Sequence, residues 1–475
     1  MPQARLVTRP LDPPIDFDQA IAAIVRRRGP AILDSSAYHP EYGRFCILAC
    51  DPAEAITSTA GSVANPFHQI REAIRQTPPV SPSPAGTAGV GFGGGWIGLL
   101  AYEAGRSLER LPARTGWHRH VPPVWLGLYD TAAVYDQSLR RWTLVGVEWP
   151  SDSRLACRGP VKIRLDSLEA ALRTPVTSVM PGISQARRFA RSDFTRREYE
   201  QAVRRTIDYI AAGDIFQANL SQRFVIESPG PPEAVFLRLR RQNPSFYGAY
   251  LGLPDATLLS ASPELFLTLR GRDVLTRPIK GTRRRSPDNA VNSLRKRELW
   301  NSAKDRAELA MIIDLERNDL GRVCEYGSVR VVEPAALEEH PTVLHLVGTV
   351  AGRLRRGLDV VDLLQATFPG GSITGAPKIR AMQIIDELER GPRGVYCGSI
   401  GHVGLDGSAT FNIAIRTITI AGGIAEAHAG GGIVADSTPA DEYDETLAKA
   451  AALLDALGAS LDEPDRIVHA LCDDV

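Results

Sequence analysis

A helix that passes directly into a strand is the sequence feature that most constrains the fold. Thr195 and Glu198 have the spacing of a capping box, and apolar residues recur at helical spacing from there until Gly213. Residues 215–226 then change to a period of two. The polar side chains of this strand share one face: Gln217, Asn219, Ser221 and Arg223. The chain therefore combines helices with a sheet, and the polar face is either solvated or part of a site.

Similar signals occur on both sides of this unit. The other predicted elements are extended segments at 31–33, 44–49 and 143–147, one long amphipathic helix over 294–315, and helices that begin at Pro377 and at Pro439, behind Thr438. The run GFGGGWIG at 91–98 lacks the strand-then-helix frame of a dinucleotide-binding motif, so it predicts strand turns and close backbone packing.

The length sets the domain organisation. At 475 residues the chain suits one large two-layer domain or two subdomains that share a core. A stretch rich in Pro, Ser, Gly and Arg without periodicity marks a boundary. The predicted parts are an N-terminal region 1–175, a linker 176–193, a catalytic domain 194–460 and a tail 461–475.

Composition excludes several classes of function. The 55 basic residues balance 55 acidic ones, which disfavours a nucleic-acid partner. No apolar run is long enough for a membrane span, and the N-terminus has no apolar signal core, so a cytosolic protein is expected. Six cysteines without paired spacing predict reduced thiols rather than disulfides or a zinc site. Only six basic residues are lysines, so each lysine is a candidate for a role that arginine cannot fill.

Two predicted helices carry carboxylates that could meet at a metal. Glu308 lies on the core-facing side of the 294–315 helix. Glu442, Glu445 and Lys449 share one face of the helix after Pro439. Two converging carboxylate helices could hold Mg²⁺, which takes one or two protein carboxylates and completes its shell with water and an anionic substrate. Surface pairing at i, i+4 is the alternative.

Two further segments have the composition of a binding site. Gly430, Gly431 and Gly432 could let backbone N–H groups approach an oxyanion, although a tight turn would also explain them. Lys280 lies in TRPIKGTRRR among arginines, and crowding by cations or desolvation would lower its pKa and leave a nucleophilic amine. A solvated charge run is the alternative.

Eight ordered strings between residues 194 and 457 resemble the chorismate-utilising family. They are GDIFQANLSQRF, SASPELFL, RPIKGTRRR, KDRAELAMIIDLERNDLGRV, FPGGSITGAPKIRAMQIIDELE, GVYCGSIGHV, FNIAIRTI and GGGIVADSTPADEYDET. The family includes anthranilate, aminodeoxychorismate, isochorismate and salicylate synthases. The resemblance implies an α+β fold of the anthranilate-synthase type, with two α/β lobes whose antiparallel sheets pack as a sandwich with helices outside.

Two positions discriminate the chemistry within this family. Isochorismate and salicylate synthases have a lysine base at the position of Gln217, and an amide cannot activate water. Anthranilate synthases typically read PIAGT where this chain reads PIKGT, and the lysine form resembles aminodeoxychorismate synthases. The resemblance therefore implies that the Lys280 amine attacks C2 of chorismate, that Glu264 protonates the departing C4 hydroxyl, and that ammonia then displaces the lysine.

The resemblance also implies the remaining site residues. Mg²⁺ would be held by Glu308 and Glu445, with Glu442 alongside through water, while Leu309 departs from the Asn or His that often follows the metal glutamate. The substrate-binding positions are Gln217, Gly281, Thr282, His345, Ser372, Tyr396, Arg416, Gly430, Gly431, Gly432 and Lys449. Residues that resemble the family's tryptophan pocket are Ser35, Tyr42, Arg44, Phe45, Phe246, Tyr247 and Gly248. Whether tryptophan binds is open.

The sequence contains no glutaminase nucleophile motif and no fused lyase. Ammonia is therefore expected from a separate glutamine amidotransferase subunit, with a lyase elsewhere completing 4-aminobenzoate for folate synthesis. Two alternatives remain at this point. One is anthranilate synthase component I, and the other is a catalytically idle subunit that binds chorismate or tryptophan and regulates a partner.

Overall fold

Two large sheets organise the part of the chain that the structure, a computed structural model, describes: residues 3–62, 65–80, 90–112, 114–175 and 188–461. The strands are β1 Arg5–Pro10, β2 Ala31–Asp34, β3 Phe45–Ala49, β4 Glu54–Thr57, β5 Gly95–Leu100, β6 Val124–Tyr129, β7 Thr131–Asp136, β8 Arg141–Glu148, β9 Arg188–Ser192, β10 Gln217–Glu227, β11 Tyr247–Gly252, β12 Thr257–Ser262, β13 Leu265–Arg270, β14 Asp273–Arg277, β15 Ile279–Arg284, β16 Arg330–Glu339, β17 Val343–Arg353, β18 Gly375–Ala376, β19 Ser399–Gly404, β20 Ala409–Asn412, β21 Thr417–Ala421, β22 Ile424–Ile433 and β23 Ala459–Leu461.

The larger sheet has the order β1-β8-β7-β3-β2-β11-β12-β21-β22-β10-β9-β23, with β18 also paired to β10. The smaller sheet has the order β15-β17-β14-β13-β20-β19-β5-β6-β4, with β16 also paired to β17. Neighbouring strands run antiparallel except β9 and β23, which are parallel. Strands from both sides of the predicted linker enter both sheets. The division into regions stays a prediction, because residues 176–187 and 462–475 lie outside the described ranges.

Helices cover the outer faces of the sheets. They are α1 Phe17–Ile24, α2 Pro66–Gln76, α3 Val161–Arg173, α4 Arg196–Ala211, α5 Pro232–Gln242, α6 Asn289–Asn301, α7 Ala303–Gly321, α8 Val360–Thr367, α9 Lys378–Leu388 and α10 Pro439–Leu457. Apolar side chains of α1, α3, α5 and α10 pack with the larger sheet, and those of α2, α7 and α8 pack with the smaller one. A third buried cluster draws on both sheets and fills the space between them. The layers are therefore helix, sheet, sheet, helix.

Local sequence signals predicted several of these boundaries correctly. The Thr195 side chain and the Glu198 backbone form the predicted capping box of α4, and Glu198 returns the second hydrogen bond. Pro439 begins α10 as expected. The strand β10 follows at Gln217. The solvated alternative for its polar face is wrong, because Gln217 and Ser221 are 0% and 2% exposed.

The single long helix predicted over 294–315 is wrong. The chain forms two helices, α6 and α7, which meet at Ser302. Ser302 has an extended backbone, with φ −66° and ψ 106°, and its hydroxyl accepts a hydrogen bond from the Asp305 N–H at 3.2 Å. Ser302 is therefore the N-cap of a new helix rather than an interior residue. No glycine or proline occurs between residues 294 and 315, so no helix-breaking residue marked the boundary.

Membrane-spanning helices and disulfides are both absent from the described residues. No helix there has both the length and the apolar character needed to cross a membrane. The cysteines there, Cys46, Cys50, Cys157, Cys324 and Cys397, are all free thiols. Cys472 lies outside the described ranges.

The glycine-rich segment packs as closely as predicted. Gly98 on β5 pairs with Leu126 on one side and Gly401 on the other. A Cβ added at Gly98 would lie 2.0 Å from the Trp125 carbonyl oxygen, which is backbone and cannot move aside. Only glycine fits there, so the run has a packing role.

We therefore expect Gly98→Ala to lower the free energy of unfolding by about 2 kcal/mol, the size typical of overpacking. Equilibrium denaturation in urea measures the change. Gly321→Ala is the matched control, because a Cβ there meets nothing within 4 Å. A Gly98 variant as stable as this control would contradict the packing role.

Candidate active site

The Lys280 amine and the Glu264 carboxyl meet at the turn that carries Ser372. Lys280 Nζ donates a hydrogen bond to the Ser372 carbonyl oxygen at 3.3 Å. Glu264, just before β13, is 3% exposed, and its Oε1 accepts from the Ile279 N–H at 3.4 Å. The Ser372 side chain also hydrogen-bonds to the Glu264 carboxyl. One residue therefore contacts both groups predicted to be catalytic.

Burial moves both of these groups towards their neutral forms. It raises the pKa of Glu264 to about 7, although Ser372 and the Lys280 charge oppose the rise. Burial also lowers the pKa of Lys280, against the attraction of Glu308 and Glu264. Relative to the charged forms, both shifts favour the protonated acid and the free amine. These are the forms that general acid catalysis and nucleophilic attack require.

The glycines of β22 bring bare backbone against this pair. The tight-turn alternative for Gly430–Gly432 is wrong, because all three lie within a strand that pairs with β10. A Cβ at Gly430 would lie 2.5 Å from the Leu220 carbonyl oxygen. A Cβ at Gly431 would lie 2.9 Å from Glu442 Oε2. The backbone can therefore approach a ligand more closely here than any other residue would permit.

Gln217 also lies beside Gly432. Its Nε2 would lie 2.3 Å from a Cβ at Gly432, and Lys280 Nζ would lie 3.4 Å from that Cβ. Gln217 is fully buried, and neither of its amide atoms has a hydrogen-bond partner among the described residues. A buried amide without partners is costly, so this position is suited to contact with a polar ligand.

The predicted metal-binding carboxylates lie on two helices that face this cleft. Glu442 is buried, and its Oε1 accepts from Ser437 Oγ at 2.6 Å. Glu445 is half-exposed and forms an i, i+4 ion pair of 2.6 Å with Lys449. Lys449 Nζ also donates to the Gly430 carbonyl oxygen at 2.9 Å. Glu308 on α7 is partly buried. In the ranges that the structure describes, no three acidic, histidine or cysteine side chains converge as a metal site.

The charges of these carboxylates are mutually coupled. Burial raises the pKa of Glu308, Lys280 opposes the rise, and Glu445 adds to it. Burial likewise raises the pKa of Glu442, and the neighbouring Glu445 charge adds to it. Burial works in the same direction at Glu445, but Lys449 outweighs it and the pKa of Glu445 is lowered. At Glu308 and Glu442, the neighbouring positive charges are therefore too weak to offset the effect of burial.

The predicted ring-binding residues lie around β15 and β17. His345 is 1% exposed, and its Nδ1 is 3.0 Å from Thr282 Oγ1. Burial and the Arg416 charge hold the pKa of His345 well below its usual value, so its imidazole is neutral. Burial lowers the pKa of Arg416 to about 10. Gly281 has φ +72°, and a Cβ there would lie 2.7 Å from Leu299, so glycine is required at this position.

Tyr396 is buried next to His428 and Arg393. Its ring stacks on His428 with centroids 5.1 Å apart, and the Arg393 guanidinium lies 5.7 Å from the ring. Burial keeps the pKa of Tyr396 well above its usual value.

Of the residues predicted to form a tryptophan pocket, Ser35, Phe246 and Gly248 meet where β2 and β11 pair. Ser35 Oγ donates to the Phe246 carbonyl oxygen at 2.8 Å, and Gly248 pairs with Asp34. Tyr247 is next to both on β11. The Tyr42 ring stacks on His39 at 4.7 Å. Arg44 is paired with Asp136 at 2.7 Å, and its guanidinium lies 4.8 Å from the Phe45 ring. Tryptophan binding stays a prediction.

Sequence reasoning missed a buried ionic group beneath the Ser372 turn. Glu316 and Asp319 on α7 are each 3% exposed. Lys378, at the start of α9, pairs with Asp319, and Glu316 accepts a hydrogen bond from the Gly371 N–H. The scarcity of lysines was a usable signal for Lys378. No local pattern distinguished Glu316 from a surface glutamate.

Comparisons with known proteins identify the family. The model of the chorismate binding enzyme family matches residues 30–455. The chain belongs to this family. It is 44% identical to aminodeoxychorismate synthase component 1 of Klebsiella aerogenes over 366 residues, which cover 77% of this chain and 78% of that protein. It is 42% identical to anthranilate synthase component 1 of Thermus thermophilus, with the same two coverages.

A solved structure has a similar fold. Anthranilate synthase component I from Streptococcus pneumoniae matches with a TM-score of 0.75 and 30% identity, over 88% of this chain and 93% of that one. The predicted family and the predicted α+β fold are thereby confirmed.

The raised pKa of Glu264 can be measured directly. We expect a protonated-carboxyl stretch in difference infrared spectra that titrates near pH 7 and is missing from Glu264→Gln. Lys280→Met should move this titration to higher pH, because it removes a positive charge that lowers the pKa of Glu264. A carboxyl that titrates near its usual value in the unmodified protein would contradict the role of burial.

Proposed function

We propose that this protein aminates chorismate at C4 to give 4-amino-4-deoxychorismate. The observation that carries the proposal is the Lys280 amine and the Glu264 carboxyl, both held at Ser372 and both shifted towards their neutral forms. A binding subunit would need neither a nucleophile nor an acid. An idle regulatory subunit is therefore the weaker alternative.

Overall similarity does not choose between the two synthases, because relatives of both names are nearly equally identical to this chain. The residue at position 280 supports amination, because a lysine at the substrate cleft can form a covalent intermediate. Gln217 supports exclusion of water as the nucleophile, since a buried amide is no base near neutral pH.

The reaction proceeds in two displacements at the ring. The free Lys280 amine forms a bond to C2, both ring double bonds shift, and the C4 hydroxyl departs as water with the proton of Glu264. The added amine passes a proton to the Glu264 carboxylate, which restores the acid. Ammonia then bonds to C4, the double bonds shift back, and the lysine amine leaves C2 with the proton of Glu264. The new C4 ammonium returns a proton to Glu264. The sum is chorismate plus ammonia giving the amino product plus water.

Substrate carboxylates are anions, and this cleft offers suitable partners. The bare backbone of Gly430–Gly432 permits close approach of N–H groups, and the Lys449 ammonium lies beside Gly430. Arg416 supplies a second positive charge close to Glu264. Gln217 supplies an amide for the ring oxygens. We assign Gly281, Thr282 and His345 to the ring edge, and Tyr396 to the enolpyruvyl group.

The donor set fits Mg²⁺. Glu308 and Glu442 have raised pKa values because their charges are buried near another carboxylate, so a nearby cation would stabilise them. Fewer than three protein ligands converge in the described residues, and Mg²⁺ accepts such a sparse set when water and substrate oxygens complete its shell. We propose Glu308 and Glu445 as ligands, with Glu442 alongside. Bound there, the ion would neutralise the substrate's ring carboxylate.

The ammonia would be supplied by a second protein component. Several relatives are named component 1, which fits a second component. We propose that this component is a glutamine amidotransferase, that both act in the cytosol, and that the product is used for 4-aminobenzoate and folate. Ammonium salts should replace the partner in the test below.

Lys280 is the residue whose loss separates the alternatives. With chorismate, Mg²⁺ and ammonium at mildly alkaline pH, the protein should form 4-amino-4-deoxychorismate and no pyruvate. Lys280→Ala and Lys280→Arg should each lower kcat at least ~100-fold, because neither supplies a free amine. Product masses and a pyruvate assay provide the readout.

Lys296→Ala is the matched control, since Lys296 pairs with Glu339 away from the substrate cleft. Anthranilate with pyruvate would replace the proposal with the anthranilate synthase reaction. Untouched chorismate, with binding preserved in Lys280→Ala, would favour the idle subunit.

The metal assignment has its own test. A chelator should abolish turnover and Mg²⁺ should restore it. Glu308→Gln should raise the Mg²⁺ concentration for half-maximal rate at least ~10-fold, because Mg²⁺ binds through few carboxylates. Glu200→Gln, which changes a glutamate that pairs with arginines on α4, should not. Equal metal dependence in both variants would rule out Glu308 as a ligand.

A further inference from the structure

The turn that carries Ser372 lies on a buried ionic network formed by Glu316, Asp319 and Lys378. Ser372 is the residue shared by Lys280 and Glu264, so its position determines how those two groups face each other. Its own backbone neighbour, Gly371, is buried, and the Gly371 N–H must therefore find an acceptor.

That acceptor is a carboxylate from a different element. Glu316 Oε1 on α7 accepts the hydrogen bond from the Gly371 N–H at 3.0 Å. A Cβ at Gly371 would lie 3.0 Å from the same oxygen and 2.7 Å from Leu315. The turn therefore lies directly on α7, and a larger residue at 371 would force Leu315 or Glu316 to shift.

Lys378 connects this contact to both ends of the segment. Its ammonium pairs with Asp319, one turn along α7 from Glu316. It also donates to the Thr367 carbonyl oxygen, at the end of α8, at 2.8 Å. Lys378 itself begins α9. The segment between α8 and α9, which contains Ser372, is thus fixed at its start, its middle and its end.

The charges of this group depend on one another. Burial and the Asp319 charge raise the pKa of Glu316 to about 7, and Lys378 opposes the rise. The mutual effect of two buried acids and one ammonium makes the network sensitive to the removal of any member.

We propose that Glu316 is a positioning residue, which holds the Ser372 turn through the Gly371 N–H and so orients Lys280 towards Glu264. Its effect on turnover rests on the proposed amination. Its effect on the Lys280 amine does not.

Two substitutions separate acceptor from charge. Glu316→Leu removes the acceptor and leaves the Gly371 N–H without a partner. Glu316→Gln keeps an oxygen that can accept. We expect Glu316→Leu to lower kcat ~30- to 100-fold, with the KM for chorismate within about threefold, because displacement of catalytic groups by about 1 Å has effects of that size. Glu316→Gln should stay within about threefold of the unmodified kcat.

A second readout needs no turnover. The rate at which a dilute acylating reagent modifies Lys280, followed by peptide mass spectrometry against pH, reports its free amine. The Ser372 carbonyl favours the ammonium, so loss of that hydrogen bond should make labelling at pH 7 at least ~3-fold faster in Glu316→Leu and leave it unchanged in Glu316→Gln.

Asp130→Asn is the matched control, since Asp130 is a buried carboxylate paired with Arg158 and Arg164 near the opposite edge of the smaller sheet. It should change stability but neither readout. The inference is overturned if folded Glu316→Leu labels like the unmodified protein, or if Gln and Leu lower kcat equally. If the unmodified protein makes no amino product, the proposed function fails while the labelling result still decides this inference.

Discussion

The proposed chemistry depends on the burial of an acid, Glu264, and an amine, Lys280, in one cleft. In water Glu264 would be charged and Lys280 would be charged, and neither form serves the proposed chemistry. Burial penalises both charges, while their mutual attraction favours both. Burial outweighs the attraction, so the pKa of Glu264 is raised, that of Lys280 is lowered, and each group is shifted towards its reactive form. Without burial, position 280 would hold an ordinary ammonium.

The fold supplies that burial at a junction of its two sheets. Lys280 belongs to a strand of the smaller sheet and Glu264 lies just before another, whereas Gln217 and the Gly430–Gly432 backbone belong to the larger sheet. Side chains would prevent β22 from coming so close, so its glycines make the cleft narrow. The helices α7 and α10 then add their carboxylates from the rim. The site therefore exists only when the two sheets are assembled together.

The sequence predicted what depends on short range. The capping box at Thr195, the start of α10 at Pro439 and the strand β10 follow from neighbouring residues. The break at Ser302 was missed because no glycine or proline marks it. Glu316 was missed because its partner Gly371 is 55 positions away, and no spacing rule connects them. The buried state of Gln217 was open for the same reason, since the strands that cover it are distant in the chain.

A search for a covalent adduct on Lys280 is the most direct test of the lysine mechanism. The protein would be incubated with chorismate and Mg²⁺ without ammonia, quenched and mapped by peptide mass spectrometry. The account predicts an adduct of chorismate minus water on the peptide containing Lys280, absent from Lys280→Ala and discharged by ammonium. An unmodified peptide under conditions in which ammonium supports turnover would contradict the lysine mechanism.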